Sequence, residues 1–353
     1  MKNIIVAWCN SSENDFENFV PLNFVGQRNL KLGFSNDIHV LFLNGINNLT
    51  VAYKKKLSDL GYHLHDCSLI YQKFDEKYHQ LSRFGDYEKK CFLRWLVIEE
   101  YFRGEQIIHY DGDIVFNEDV AVIQKLLQGF TFVLQGCPAF TCISDLSWFE
   151  SYKSELDKFV ADIEGYSASA WQERAGWEVT FRTRWAGSRF RPIITSDQDF
   201  ISHLMHTGRI IQDSVEKISL ALNDYIVFQN PHYIHMYDDN FPYMQCFREN
   251  GVDYFLCKRE DGKDCFYKKR VLFWHMQSGF NFYLAKFIFR KRFLWWLPMG
   301  RLPLRGREDY INKKARRFLN HTSRLNVYNY FFNKSDFSKV MKDRVWWKKG
   351  IFN

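Results

Sequence analysis

"IIHYDGDIVF", residues 107–116, decides the fold. Four residues climb as a buried strand would, and then Asp111 and Asp113 appear with only Gly112 between them. Apolar character resumes at once. A strand that ends in two carboxylates suggests an open α/β sheet, because ligands of such sheets bind beyond the carboxyl ends of the strands. Two acids at i and i+2 around a glycine can both reach one point when the chain turns. Oxygen donors of this kind suit hard divalent cations such as Mg²⁺ and Mn²⁺. A plain Asp-Gly-Asp turn would look the same.

The flanking sequence supports the sheet. "NIIVAW" (3–8) and "IHVLFL" (38–43) are short apolar runs, as buried parallel strands are. A helix is expected after Pro21, since proline suits a first helical turn. "LTVAYKKKLSDLG" predicts a helix stopped by Gly61. "DYEKKCFLRWLVIEEYFRG" (86–104) predicts the clearest helix, ended by Gly104. Beyond Asp113 we expect a short helix (119–128), strands at 131–135 and 139–143, and a long helix near 146–163. Residues 165–192 read as irregular, with Arg174, Arg182, Arg184, Arg189 and Arg191 as candidates for a lid, an acceptor contact or a solvated loop. Residues 253–270 predict a hairpin turning at Asp261-Gly262, and "VLFWH" (271–275) a last strand ending in His275. Alternation of this type predicts an α/β fold with parallel strands.

Composition sets the outer limits. The chain has 353 residues, 46% of them hydrophobic, enough for a sizeable core. No run of eighteen apolar residues occurs, so no spanning helix is expected. The apolar stretch at the N-terminus is too short for a secretory signal. Eight cysteines are scattered without a Cys-x-x-Cys pair, which predicts free thiols in a reducing, cytoplasmic setting. The net charge of +7 is divided unevenly: residues 281–353 hold 18 Lys/Arg and 4 Asp/Glu, a net +14, leaving −7 on residues 1–280. We therefore expect a catalytic body, 1–280, and a basic, aromatic, helical extension, 281–353. Ile311, Ala315, Phe318 and Leu319 share one helical face, and Phe337, Val340, Met341 and Val345 another. Such helices either pack on the body or lie on an anionic membrane surface.

Two further constellations bear on chemistry. "SDQDFISHL" (196–204) places Asp197, Gln198 and Asp199 at a helix start. An N-cap accounts for one acid there, but not for an acid-amide-acid triplet. His275 is a structural residue or a third ligand, neutral imidazole being suited to Mn²⁺ beside two carboxylates.

Taken in order, "YDGD", "DQDF" and "WHMQSG" resemble the GT-A glycosyltransferases, most closely family eight and its relatives. The separations are similar too: 84 residues from Asp113 to Asp197, and 76 from Asp199 to His275. The resemblance spans roughly residues 1–280 and implies a GT-A, Rossmann-like mixed sheet flanked by helices. It implies a nucleotide-diphosphate sugar as donor, UDP-linked, and a glycan or lipid-linked acceptor. Asp111, Asp113 and His275 would hold Mn²⁺ or Mg²⁺. Asp197, Gln198 and Asp199 would face the sugars, and Lys90 and Arg94 the diphosphate. Ala7, Trp8 and Asn10 would seat the base, where Trp8 either stacks or simply packs. Retention of anomeric configuration follows from the family. The chain departs from the family's His-x-x-Gly-x-x-Lys pattern: Gly279 comes one place late, Phe282 stands three residues beyond it, and Lys286 is the nearest lysine downstream.

Two rival functions fit the sequence less well. A sugar nucleotidyltransferase would want a glycine-rich loop after the first strand, and "CNSSENDF" has no glycine. A nucleic-acid-binding protein would use the basic aromatic tail, but the body is net acidic and no RNA-binding signature occurs.

Overall fold

The computed structural model describes residues 1–11, 13, 16, 20, 22–134, 137–173, 194–228, 243–250, 252–258 and 266–275. The extension 281–353, the Asp261-Gly262 turn, Gly279, Phe282, Lys286 and the five arginines of 174–191 lie outside the described residues.

The described residues group into two compact units. The first comprises Met1–Glu13, Asp37–Asp111 and Ala121–Ala221; the second comprises 14–36, Gly112–Val120 and the residues from Leu222 on.

In chain order the elements are β1 (Lys2–Trp8), α1 (Leu22–Lys31), β2 (Ile38–Asn44), α2 (Val51–Asp59), β3 (Tyr62–Asp66), α3 (Ser68–Lys77) and α4 (Asp86–Tyr101). β4 (Ile107–Tyr110), β5 (Ile114–Phe116), α5 (Val120–Leu126), β6 (Thr131–Val133), β7 (Phe140–Ile143), α6 (Ser147–Ala161) and α7 (Ile163–Glu173) follow. The last are α8 (Asp197–His206), α9 (Val215–Ala221), β8 (Tyr225–Phe228), β9 (Tyr243–Glu249), β10 (Val252–Lys258) and β11 (Phe266–His275).

The first unit is built on a six-stranded sheet of order β3-β2-β1-β4-β7-β6. β3, β2, β1 and β4 run parallel, and β7 and β6 are antiparallel additions. This is the mixed, helix-flanked, Rossmann-like α/β sheet expected of a GT-A fold. β1 sits at its centre, and its residues from Asn3 to Ala7 are all buried. The turn after β2 is steric: Gly45 has φ +75°, and a Cβ there would lie 1.8 Å from the Cys9 carbonyl oxygen. Helix α2 starts where Thr50 accepts a hydrogen bond from the Tyr53 amide at 3.1 Å, an N-cap that offsets one orphan donor.

Helix α4 is buried nearly all round. Every residue from Lys89 to Ile98 is inaccessible, as befits a helix walled by α3, α6, α8 and β2. Phe92, Trp95 and Leu96 join Trp148, Tyr152, Phe159 and Phe200 in the core. Tyr152 donates a hydrogen bond from its hydroxyl to the Phe92 carbonyl at 2.9 Å, so its polar end is satisfied within that core. Lys89, for which a solvated position is the ordinary expectation, is buried instead, with its Nζ 2.7 Å from Asp75.

Three expectations change. β3 and α3 fill a stretch with no predicted element. Residues 163–173 form helix α7, not the start of an irregular loop. The predicted second hairpin strand and the predicted last strand are one continuous strand, β11.

In the second unit β11 pairs antiparallel with β10 through Arg270 to Phe266, then with β5 through Phe273 to His275. β8 adds to it in parallel, and β9 extends the sheet beyond β10. No helix among the described residues is long and apolar enough to cross a membrane.

Candidate active site

In the first unit the site grows from α4. Glu88, Cys91 and Arg94 recur every three residues along one side of the helix. Arg94, the last of them, is only 6% exposed. One terminal nitrogen of its guanidinium donates to Asp111 Oδ1 at 3.0 Å, and the other to Asp197 Oδ2 at 2.7 Å. Trp95 Nε1 adds a longer bond to the same Asp197 oxygen at 3.4 Å. The Asp111 amide donates to the Ala139 carbonyl at 2.8 Å, which fixes the backbone at the end of β4. Burial pushes the Asp197 carboxyl above its ordinary range, while Arg94 opposes that push. Both carboxylates hold Arg94 firmly in its charged form against its own burial.

Helix α8 begins where Ser196 Oγ accepts from the Asp199 amide at 3.1 Å. Asp199 Oδ2 reaches back to the Thr195 amide at 3.3 Å and hydroxyl at 3.2 Å. This is the reciprocal arrangement of a capping box, displaced by one residue. Ser196 therefore supplies the cap, and Asp197 is left for Arg94. Gln198 is half-buried in the same first turn.

Glu88 was not singled out by sequence reasoning. With Cys91 and Asp197 it offers ligand-type atoms all within 4.8 Å of one another. Burial first, then the negative charges of Asp197 and Asp199, push its carboxyl up to about 7. Burial also drives the Cys91 thiol well above its ordinary value, so it stays protonated. The signal available in sequence was the three-residue spacing of Glu88, Cys91 and Arg94.

Lys90 is 1% exposed, ion-paired with Asp86 and 3.4 Å from Asn10 Oδ1. Its ammonium lies 5.8 Å from the centre of the Trp8 ring, and Tyr87 meets that ring edge-on at 5.4 Å. Lys90, Trp8 and Asn10 thus come together in this unit, with Ala7 buried beside them in β1.

The second unit carries a cluster of its own, anchored downstream of Asp113. Arg28 donates to the Phe116 carbonyl and, at 2.7 Å, to Asn117 Oδ1. Arg270 Nε donates to the Asn117 carbonyl at 2.7 Å and pairs with Glu118 at 2.8 Å. Tyr225 donates from its hydroxyl to the same Glu118 oxygen, Oε2, at 3.0 Å. β5 is thereby fixed against the end of β11, with Ile114 and His275 register partners. Asp113 Oδ1 lies 3.3 Å from His275 Nε2, and His275 is 5% exposed. Gly112 is required by its surroundings, because a Cβ there would sit 2.4 Å from Val20 Cγ1.

No family model matches the chain, and no curated protein matches it. Among solved structures it is similar to the apo form of mouse xyloside xylosyltransferase 1, at 14% sequence identity and a TM-score of 0.33. That likeness covers 59% of this chain and 83% of the mouse chain.

Proposed function

We propose that the protein is a metal-dependent glycosyltransferase. It would move a hexose from a nucleotide-diphosphate sugar, UDP-linked, to a glycan or lipid-linked acceptor, with retention of configuration. The observation that carries the reading is the pairing of Asp113 with the buried His275 at 3.3 Å. It brings together two ligand-type groups 162 residues apart in sequence, one of them from the Asp-Gly-Asp turn.

The donor set fits a divalent ion. Asp113 and His275 supply one oxygen and one nitrogen, and Asp111, two residues along the chain, is the proposed second oxygen. Two carboxylates and a neutral imidazole suit Mn²⁺ better than a soft metal. When bound, Mn²⁺ would neutralise charge on the departing diphosphate.

The chain's own groups do the rest. Arg94 fixes the rotamers of Asp111 and Asp197 through its two terminal nitrogens. Asp197, Gln198 and Asp199 are proposed to position the sugars. Lys90, backed by Trp8 and Asn10, is proposed to meet the donor's nucleotide end. Residues 281–353 are proposed to rest on an anionic membrane surface.

The test is a panel of nucleotide sugars incubated with purified protein and Mn²⁺. Release of the nucleoside diphosphate from at least one donor, abolished by a chelator, is the expected outcome. Release of pyrophosphate would mark a nucleotidyltransferase instead.

A further inference from the structure

Apart from the aspartates, three histidines gather on one face of the first unit's sheet. His39 of β2 is the register partner of His63 in β3. His65 lies two residues further along β3 and so points to the same face. The His39 ring stacks on His63 at 4.9 Å and on His65 at 5.1 Å, with Phe102 edge-on to His39 at 5.0 Å. His39 Nδ1 and His65 Nε2 are 2.9 Å apart. Two further contacts flank that pair: Tyr101 Oη is 2.7 Å from His65 Nδ1, and Asp37 Oδ1 is 2.9 Å from His63 Nε2.

We propose that His39 Nδ1 and His65 Nε2 chelate a borderline transition-metal ion, Zn²⁺ or Cu²⁺, with water in its remaining positions. Two imidazole nitrogens this close share one proton, and a metal ion takes that proton's place. Tyr101 accepting from His65 Nδ1–H leaves the Nε2 lone pair facing His39. His39 then moves its own proton from Nδ1 to Nε2, so two neutral rings bind the cation and no proton is released. Tetrahedral ligands at about 2.0–2.1 Å from zinc stand roughly 3.3 Å apart, so the rings need to open by only a few tenths of an ångström. An outer partner such as Tyr101 on His65 Nδ1 commonly orients a metal-binding imidazole. Burial, and then the neighbouring His65, His63 and Lys2 against the opposing Asp37, push His39 down to about 4. Burial and His63 lower His65 as well. Both are therefore neutral at pH 7, the form a metal requires. Imidazole without carboxylate selects zinc or copper over magnesium, so this ion differs in kind from that proposed for Asp113.

Metal-stripped full-length protein titrated with Zn²⁺ by calorimetry tests the site. The expected result is one zinc equivalent that persists in Asp113→Asn and weakens at least tenfold in His39→Asn/His65→Asn. Equal zinc binding in wild type and the double variant would overturn the proposal. Electron paramagnetic resonance of wild-type protein with one equivalent of Cu²⁺ needs no variant to fold. Hyperfine structure from two nitrogens supports the site, and coupling to one nitrogen or to none overturns it.

Discussion

In the first unit Asp197 rests against the permanently charged guanidinium of Arg94 at 2.7 Å; in the second, Asp113 rests against the imidazole of His275 at 3.3 Å. The Arg94–Asp197 contact is deep, and its partners are 6% and 4% exposed. Such a pair adds little net stability, but breaking it leaves a stranded charge. Asp113 and His275 instead form a pair whose imidazole, when neutral, can turn its lone pair to a metal. The first contact fixes two carboxylates in place; the second is the proposed ligand pair.

That contrast can be broken by mutation. Arg94→Met should have the largest effect, costing about 3–5 kcal/mol in urea unfolding because Asp197 is left buried and unpaired. Adding Asp197→Asn should return much of the loss, since the stranded charge goes with it. Asp113→Ala should behave oppositely. Unfolding should shift little, while metal-dependent turnover falls about 10²–10³-fold, equivalent to roughly 2.7–4 kcal/mol of barrier.

Gly112→Ala sharpens the picture at the turn itself. The added methyl meets Val20, and overpacking of this kind costs about 1–3 kcal/mol. Val20→Ala in the same chain should relieve it, read by thermal unfolding.

Glu88→Gln should have the smallest effect. The folded carboxyl sits near 7 against an ordinary 4.5, so the native state holds its proton over a range where the unfolded chain has lost it. Stability therefore falls as pH rises from about 4.5 to 7. The amide removes this loss. After screening by solvent, the variant should gain about 1 kcal/mol at pH 8 and nothing at pH 4, measured as melting temperature against pH.

How legible all this was in the sequence depended on burial. β1, β2 and β4 announced themselves because they are largely buried and read as short apolar runs, broken only by His39 in β2 and His109 in β4. β3, "YHLHD", did not: it has no apolar run, its alternation lasts only from Tyr62 to His65, and His63 and Asp66 are exposed. α7 was missed because "GYSASAW" is rich in small residues with weak helical signals, although Ile163, Ser167 and Ala170 form a buried face. Helix α4 was found by its period, and Arg94 was singled out on it, but Glu88 and Cys91 were not. Burial of Lys89 and Arg94 depends on partners, Asp75 and Asp197, that no local pattern reveals. Asp113 was legible from its turn. Its placement beside His275 follows from β5 pairing with β11, a long-range register that motif order suggested and periodicity did not.

The account rests on Asp113 and His275 holding a divalent ion together. Mn²⁺ binding measured by electron paramagnetic resonance in the presence of UDP tests this directly. Wild-type protein should bind one Mn²⁺ per chain, with affinity at least tenfold weaker in Asp113→Asn and in His275→Gln. Identical Mn²⁺ affinity in all three proteins would contradict it.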